Sequence, residues 1–143
     1  MKPLELATET RVRVESELDI VTARMRGRAL AIQLGLRPTS ATLIATAISE
    51  LARNILLYAQ DGEIVLCPIE RGAHKGLAVI ARDDGPGIRD VTRAIEDGYS
   101  TSGRLGMGLP GVRRLMDEFH IQSRVGEGTT VTVKKWKIGR AHV

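Results

Sequence analysis

Two periods of apolar spacing alternate along the chain, and the switches between them mark out its elements. TRVRVES (10–16) sets Val12 and Val14 between polar neighbours, the period-two pattern of a strand with one buried face. DIVTARMRGRALAIQLGL (19–36) reads as a helix, with Gly35 as its stop. Pro38, Thr39 and Ser40 predict a fresh helix start with a hydroxyl cap. Ile44, Ile48, Leu51 and Ile55 carry that helix at helical spacing to about Tyr58. EIVLCPIE (63–70) and GLAVIARD (76–83) are predicted strands, joined through the polar RGAHK as a hairpin with a longer loop. A short helix over 89–96 and a helix over 110–119, with Pro110 in its first turn, follow. IQSRV and TTVTVKKW are the last strands, separated by the turn Gly126-Glu127-Gly128.

The order β-α-α-β-β-α-α-β-β puts two long helices ahead of most of the sheet and lacks the βαβαβ repeat of a doubly wound fold. It predicts an α+β fold: a two-layer sandwich in which a mixed, mostly antiparallel sheet carries helices on one face. No repeat or linker divides the chain. One domain is expected, ordered over about 10–136, with KIGRAHV (137–143) as a flexible tail.

Composition narrows the picture. With 143 residues, 43% hydrophobic and only 3% aromatic, the core must be aliphatic. No run of apolar residues is long enough to cross a membrane. The opening MKPLELATETRVRV has no continuous apolar stretch, so no secretory signal is expected. The single cysteine, Cys67, cannot form an internal disulfide, and a reducing cytoplasm is the expected compartment. The formal charge of +4 and pI of about 9.6 raise the question of nucleic acid. The basic residues are scattered, densest at Arg24, Arg26 and Arg28 and at Lys134, Lys135 and Lys137, and no aromatic platforms interleave them. Nucleic acid is therefore not expected; a solvated basic face or a docking surface for an acidic partner is.

Three segments carry candidate chemistry. In SELARNILLYA, Glu50 and Asn54 lie one helical turn apart at the edge of an apolar face. A carboxamide oxygen can ligate a hard cation such as Mg²⁺, and a carboxylate can take a proton from a nucleophile. Read alone, the pair also fits a surface Glu and an Asn near a helix end. Asp83-Asp84-Gly85-Pro86-Gly87 follows a strand directly: a fixed acceptor for an amino group, then glycines that admit a flat ring, or else an ordinary Pro-Gly turn. Gly103 to Gly111 is glycine-rich backbone before a helix, a phosphate cradle by its free N–H groups and the helix dipole, or else a flexible loop. Its GMGLPG matches G-x-G-x-x-G in form only, since no strand precedes it and no βαβ unit contains it.

In this order the three segments resemble the asparagine box and the two glycine boxes of the GHKL ATPase superfamily, and Gly128-Thr129-Thr130 resembles its closing Gly-Thr element. ISELARN, EDGYSTSG, GLPGVRRLMDEF and the GEGT turn further resemble the small serine/threonine kinases of bacterial partner-switching modules, the RsbT type. The resemblance covers about residues 10 to 136. It implies a Bergerat-type ATP-binding fold using ATP and Mg²⁺, with Asn54 on the metal and Glu50 as general base. Asp83 would bind the adenine amino group, with Gly85 and Gly87 lining the base pocket. Gly106, Met107 and Gly108 would meet the phosphates. Thr130 would support the adenine end, and Ser100, Thr101 and Ser102 would lie in a mobile lid. It further implies phosphorylation of a STAS-domain antagonist in a stressosome-like complex, and activation of a PP2C-type phosphatase on release. An anti-sigma-factor kinase of the SpoIIAB type, holding a sigma factor, would share fold and chemistry. A non-catalytic ATP-dependent docking switch would have no use for Glu50. None of His74, His120 and His142 sits in a helix before an acidic residue, as a phosphorylated histidine site would require.

Overall fold

In the computed structural model, residues 9–88, 90–95 and 108–137 are described. The chain runs β1 (Thr10–Val14), α1 (Glu17–Gln33), α2 (Pro38–Tyr58), β2 (Gly62–Arg71), β3 (His74–Asp83), α3 (Val91–Ala94), α4 (Gly108–Leu115), β4 (Glu118–Arg124) and β5 (Gly128–Trp136). The strands form one sheet in the order β1-β2-β3-β5-β4. Every described pairing is antiparallel, so the sheet is not the mixed one expected.

Alternation decides which face is buried. Val12, Ile64, Ala81 and Val131 stand opposite one another across four strands, as do Leu66, Val79 and Val133 across three. These side chains share one core with Ile44, Ile48, Leu51 and Ile55 of α2 and Ile20, Ala23 and Ala31 of α1. The two layers are thus fixed by period two in the strands meeting period 3.6 in the helices. At Gly27 α1 packs tightly against α2: a Cβ there would collide with Cδ1 of Ile48. The other face of the sheet carries Arg11 and Arg82, which share Glu63 at 3.0 and 3.1 Å. Cys67 lies on that face too, and burial pushes its thiol up.

Several boundaries differ from the sequence reading, each for a local reason. The first strand stops at Val14 because Ser16 caps α1, and the Asp19 carboxylate accepts the N–H groups of Glu15 and Ser16 at 2.8 and 3.1 Å. Gly35 does end α1: it takes φ +92°, and Leu36 N–H reaches back to Ala31 O at 3.0 Å. No hydroxyl caps α2; Arg37 is its extended N-cap and Pro38 its first residue, where a missing N–H costs nothing. The hairpin loop is Gly72-Ala73 alone, since Arg71 pairs with His74 and Gly72 supplies φ +62°. The helix expected over 110–119 ends at Leu115, because Phe119 and Ile121 pair with Val133 and Val131. Of the short helix expected over 89–96, Val91–Ala94 is helical. The tail, apart from Lys137, lies outside the described residues.

Candidate active site

Glu50 lies on the inner side of α2 with 7% of its surface exposed. A buried carboxylate needs partners, and it has them. Nη1 of Arg53, one turn on, donates to Oε2 at 3.0 Å. The backbone N–H of Gly108, the first residue of α4, donates to Oε1 at 3.3 Å. A negative charge at a helix N-terminus is favoured by the free N–H groups and the dipole. The carboxylate therefore stands where a guanidinium and a helix end both receive an anion. Asn54, half-buried, sits one turn further along the same side of α2.

The Asp83 loop is seated on the far end of the same helix. A Cβ on Gly85 would lie 2.6 Å from Cβ of Ala59, the residue that ends α2, so glycine is required by this contact. The Asp83 Oδ1 accepts the Gly85 N–H at 2.8 Å. Burial pushes the Asp83 carboxyl above the usual carboxylate range; N–H groups of Gly85 and Thr129 pull the other way without cancelling it. Gly126 N–H donates to Pro86 O at 2.7 Å and ties this loop to the β4–β5 turn. At Gly128, φ is +88° and a Cβ would collide with the Asp83 carbonyl. Ser123 Oγ accepts the Ile88 N–H at 2.7 Å, and it lies 2.8 Å from Thr129 Oγ1 and 3.0 Å from Gly128 O, to which it donates. Beside this network a polar concavity of about 530 Å³ is lined by Val91, Gln122, Ser123, Thr129 and Thr130, among others.

Of the sequence-predicted site residues, α2 carries Glu50 and Asn54, the end of β3 leads into Asp83, Gly85 and Gly87, and α4 begins at Gly108. Ser100, Thr101, Ser102, Gly106 and Met107 lie outside the described residues. Thr130 stands opposite Arg82, on the face turned away from the helices; Thr129 stands opposite Asp83, on the helix side. Alternation in TTVTV could have shown this, since Val131 and Val133 are core and Thr129 is in phase with them. Arg53 was likewise available as the i+3 neighbour of Glu50. Ser123 had no local signal: its role depends on pairing with Thr129. Among the described residues no three His, Cys, Asp or Glu side chains gather as a metal cluster. The oxygen donors on offer here are few, which suits a hard ion held largely by phosphate and water.

Similarity to known proteins runs the length of this arrangement. Residues 14–135 match the histidine kinase-like ATPase domain family. The chain is 54% identical over 125 residues to the serine/threonine-protein kinase RsbT of Bacillus subtilis, covering 87% of this chain and 94% of that one. It is 33% identical to the anti-sigma F factor of Caldanaerobacter subterraneus over 68% of this chain and 70% of that one. Among solved structures, the RsbU and RsbW domains of Rv1364c from Mycobacterium tuberculosis superpose with a TM-score of 0.60 at 22% identity; the match covers 95% of this chain and 35% of that one, and speaks to the fold alone. The nucleotide this family uses is ATP, and the regulatory setting its relatives share is partner switching. The chain belongs to the histidine kinase-like ATPase family and, within it, to the serine/threonine protein kinases of the RsbT type.

Proposed function

We infer that this kinase transfers the terminal phosphoryl group of Mg-ATP to a Ser or Thr hydroxyl of a STAS-domain antagonist, and that on release it activates a PP2C-type phosphatase. The observation that carries the chemistry is the meeting of Glu50 with the amide of Gly108 at the start of α4. A carboxylate and a ready anion site within one hydrogen bond are what phosphoryl transfer to a hydroxyl needs. In this reading Asp83 accepts the adenine amino group, and Thr129 rather than Thr130 supports that end. Asn54 would hold Mg²⁺, which would supply positive charge against the phosphates.

Glu50 has two roles in sequence. Without nucleotide it satisfies the Gly108 amide. A triphosphate at the same helix end competes for that amide and repels the carboxylate. Glu50 is then released to accept the proton of the incoming hydroxyl, with Arg53 holding it near through the 3.0 Å contact. The test is transfer of γ-labelled phosphate from ATP to a purified STAS-domain protein. Label on a Ser or Thr of that protein supports the reading; ATP binding without transfer to any STAS protein tried contradicts it. The similarity to anti-sigma F factors supports a second reading, in which the held partner is a sigma factor. Pull-down with purified phosphatase and purified sigma factor in parallel separates the two.

A further inference from the structure

Helix α1 is apolar on two opposite sides. Ile20, Ala23, Gly27 and Ala31 are buried against the rest of the fold. On the reverse side, Leu18, Val21, Met25, Ala29 and Ile32 recur at steps of 3, 4, 4 and 3, the spacing of one continuous stripe. Leu18 is 73% exposed, Met25 63% and Ile32 41%. The stripe runs about 21 Å, roughly four turns, at 1.5 Å per residue. Scattered apolar residues on a surface need no explanation, but an aligned row on one helix does.

Charge says what would cover it. By helical phase Arg24 and Arg28 border one edge of the stripe and Arg26 the other. All three are exposed, and none has a hydrogen bond or ion pair among the described residues. The chain's other basic cluster behaves differently: Lys134 faces Glu118 at 3.8 Å, and Lys135 binds Leu115 O at 2.7 Å and Asp117 at 3.4 Å. Among the described residues nothing forms an ion pair with these three arginines, and the acidic residues of α1, Glu17 and Asp19, are confined to its first turn.

We propose that the outer face of α1 docks a partner helix that carries an apolar stripe flanked by Asp and Glu. Leu18, Met25 and Ile32 form the seam, and Arg24, Arg26 and Arg28 select the acidic flanks. A second copy of this chain fits poorly, because an antiparallel pair centred on Met25 would bring the arginines of one helix against those of the other. A membrane surface fits less well, since the stripe is narrow and has none of the Trp or Phe that anchor interfacial helices. The surface is separate from the Glu50–Gly108 site, since it lies on the side of α1 turned away from α2.

The test uses the full chain and two fluorescent synthetic helices with the same Leu seam, one flanked by Glu and the other by Lys. Fluorescence anisotropy should show the Glu-flanked helix binding at least about tenfold tighter than the Lys-flanked one, and weakening as salt is raised. The double variant Arg24→Glu/Arg28→Glu should weaken that binding about tenfold, and Met25→Glu should abolish it. Because all three positions are exposed, melting temperature and ATP binding should stay at the wild-type values. Equal binding of both helices, or binding of neither, overturns the proposal. So does tighter association with mixed phosphatidylcholine–phosphatidylglycerol vesicles than with the acidic helix. A concentration-dependent dimer that Met25→Glu dissolves would assign the stripe to self-association instead.

Discussion

Replacing Glu50 by Gln separates chemistry from architecture better than any other single change. Gln keeps the length of the side chain and an oxygen that can still accept the Gly108 N–H, now 3.3 Å from Glu50 Oε1. What is lost is the charge: a charge-assisted hydrogen bond becomes a neutral one, and the Arg53 ion pair at 3.0 Å, with Arg53 37% exposed, disappears. Those two losses sum to about 1 kcal/mol of stability. In a chain of 143 residues that lowers the melting temperature by roughly 3–4 °C. A general base, by contrast, contributes about 10²–10⁴-fold in rate, or roughly 2.7–5.4 kcal/mol on the barrier. The two effects differ enough to be told apart, and a loss of about 1 kcal/mol leaves a domain of ordinary stability overwhelmingly folded. Melting curves, ATP titration and labelled transfer to a STAS-domain protein should therefore show a small thermal shift, ATP affinity at or slightly above wild type, and transfer down by at least two orders of magnitude. Transfer at the wild-type rate would refute the base assignment and leave positioning and electrostatics to do the chemistry, which a loose phosphoryl-transfer transition state tolerates. Glu50→Ala is the harsher control. It strands the Gly108 amide and the Arg53 guanidinium together and should cost about 2–3 kcal/mol.

Three further outcomes follow from the same geometry. Because burial holds the Asp83 carboxyl above its unfolded value, the wild type should gain stability relative to Asp83→Asn as pH falls from 7 towards 4, while Asp83→Asn loses most of its ATP-dependent thermal shift at either pH; melting with and without ATP reads both, and a relative loss at low pH would reverse the sign. Asn54→Ala should bind nucleotide equally with Mg²⁺ and with EDTA, whereas the wild type gains affinity from the metal and Asn54→Asp keeps part of the gain; titration in the two buffers decides, and an undiminished metal effect in Asn54→Ala would place the ion elsewhere. Gly126→Ala, where φ is +83° but the space is open, should cost only about 1–2 kcal/mol, while Gly128→Ala adds a collision with the Asp83 carbonyl and should cost more and weaken ATP binding as well; equal costs by urea melts would mean that the loop yields to the added methyl.

What the sequence disclosed and what it hid divide along the range of the interactions. Local rules were readable: Gly35 stops α1 because only its own φ matters, and Val12, Ile64 and Val131 announce a buried face by alternation. Errors fell where a distant partner outvoted local spacing. Phe119 read as the end of a helix and became strand because Val133 waits across the sheet edge, while Ile121 is in the strand that was expected. The site divides the same way. Glu50 and Asn54 share a side of α2 by spacing alone, yet that the carboxylate is held by Gly108, 58 residues on, depends on how α4 packs. Thr130 shows a subtler limit: a motif names a neighbourhood, and only the register tells which face of the sheet each adjacent residue takes. With Asp83 opposite Thr129, the residue in phase with the proposed adenine acceptor is Thr129, and its hydroxyl is within 2.8 Å of Ser123. Removing that hydroxyl by Thr129→Val should therefore weaken ATP binding more than Thr130→Val does, because the former takes one of three hydrogen-bond partners from Ser123, which keeps Ile88 N–H and Gly128 O, and the latter alters the face turned away from the helices. Parallel ATP titrations of the two variants test this directly, and a larger loss in Thr130→Val would show that the nucleotide reaches round the sheet edge rather than lying under it.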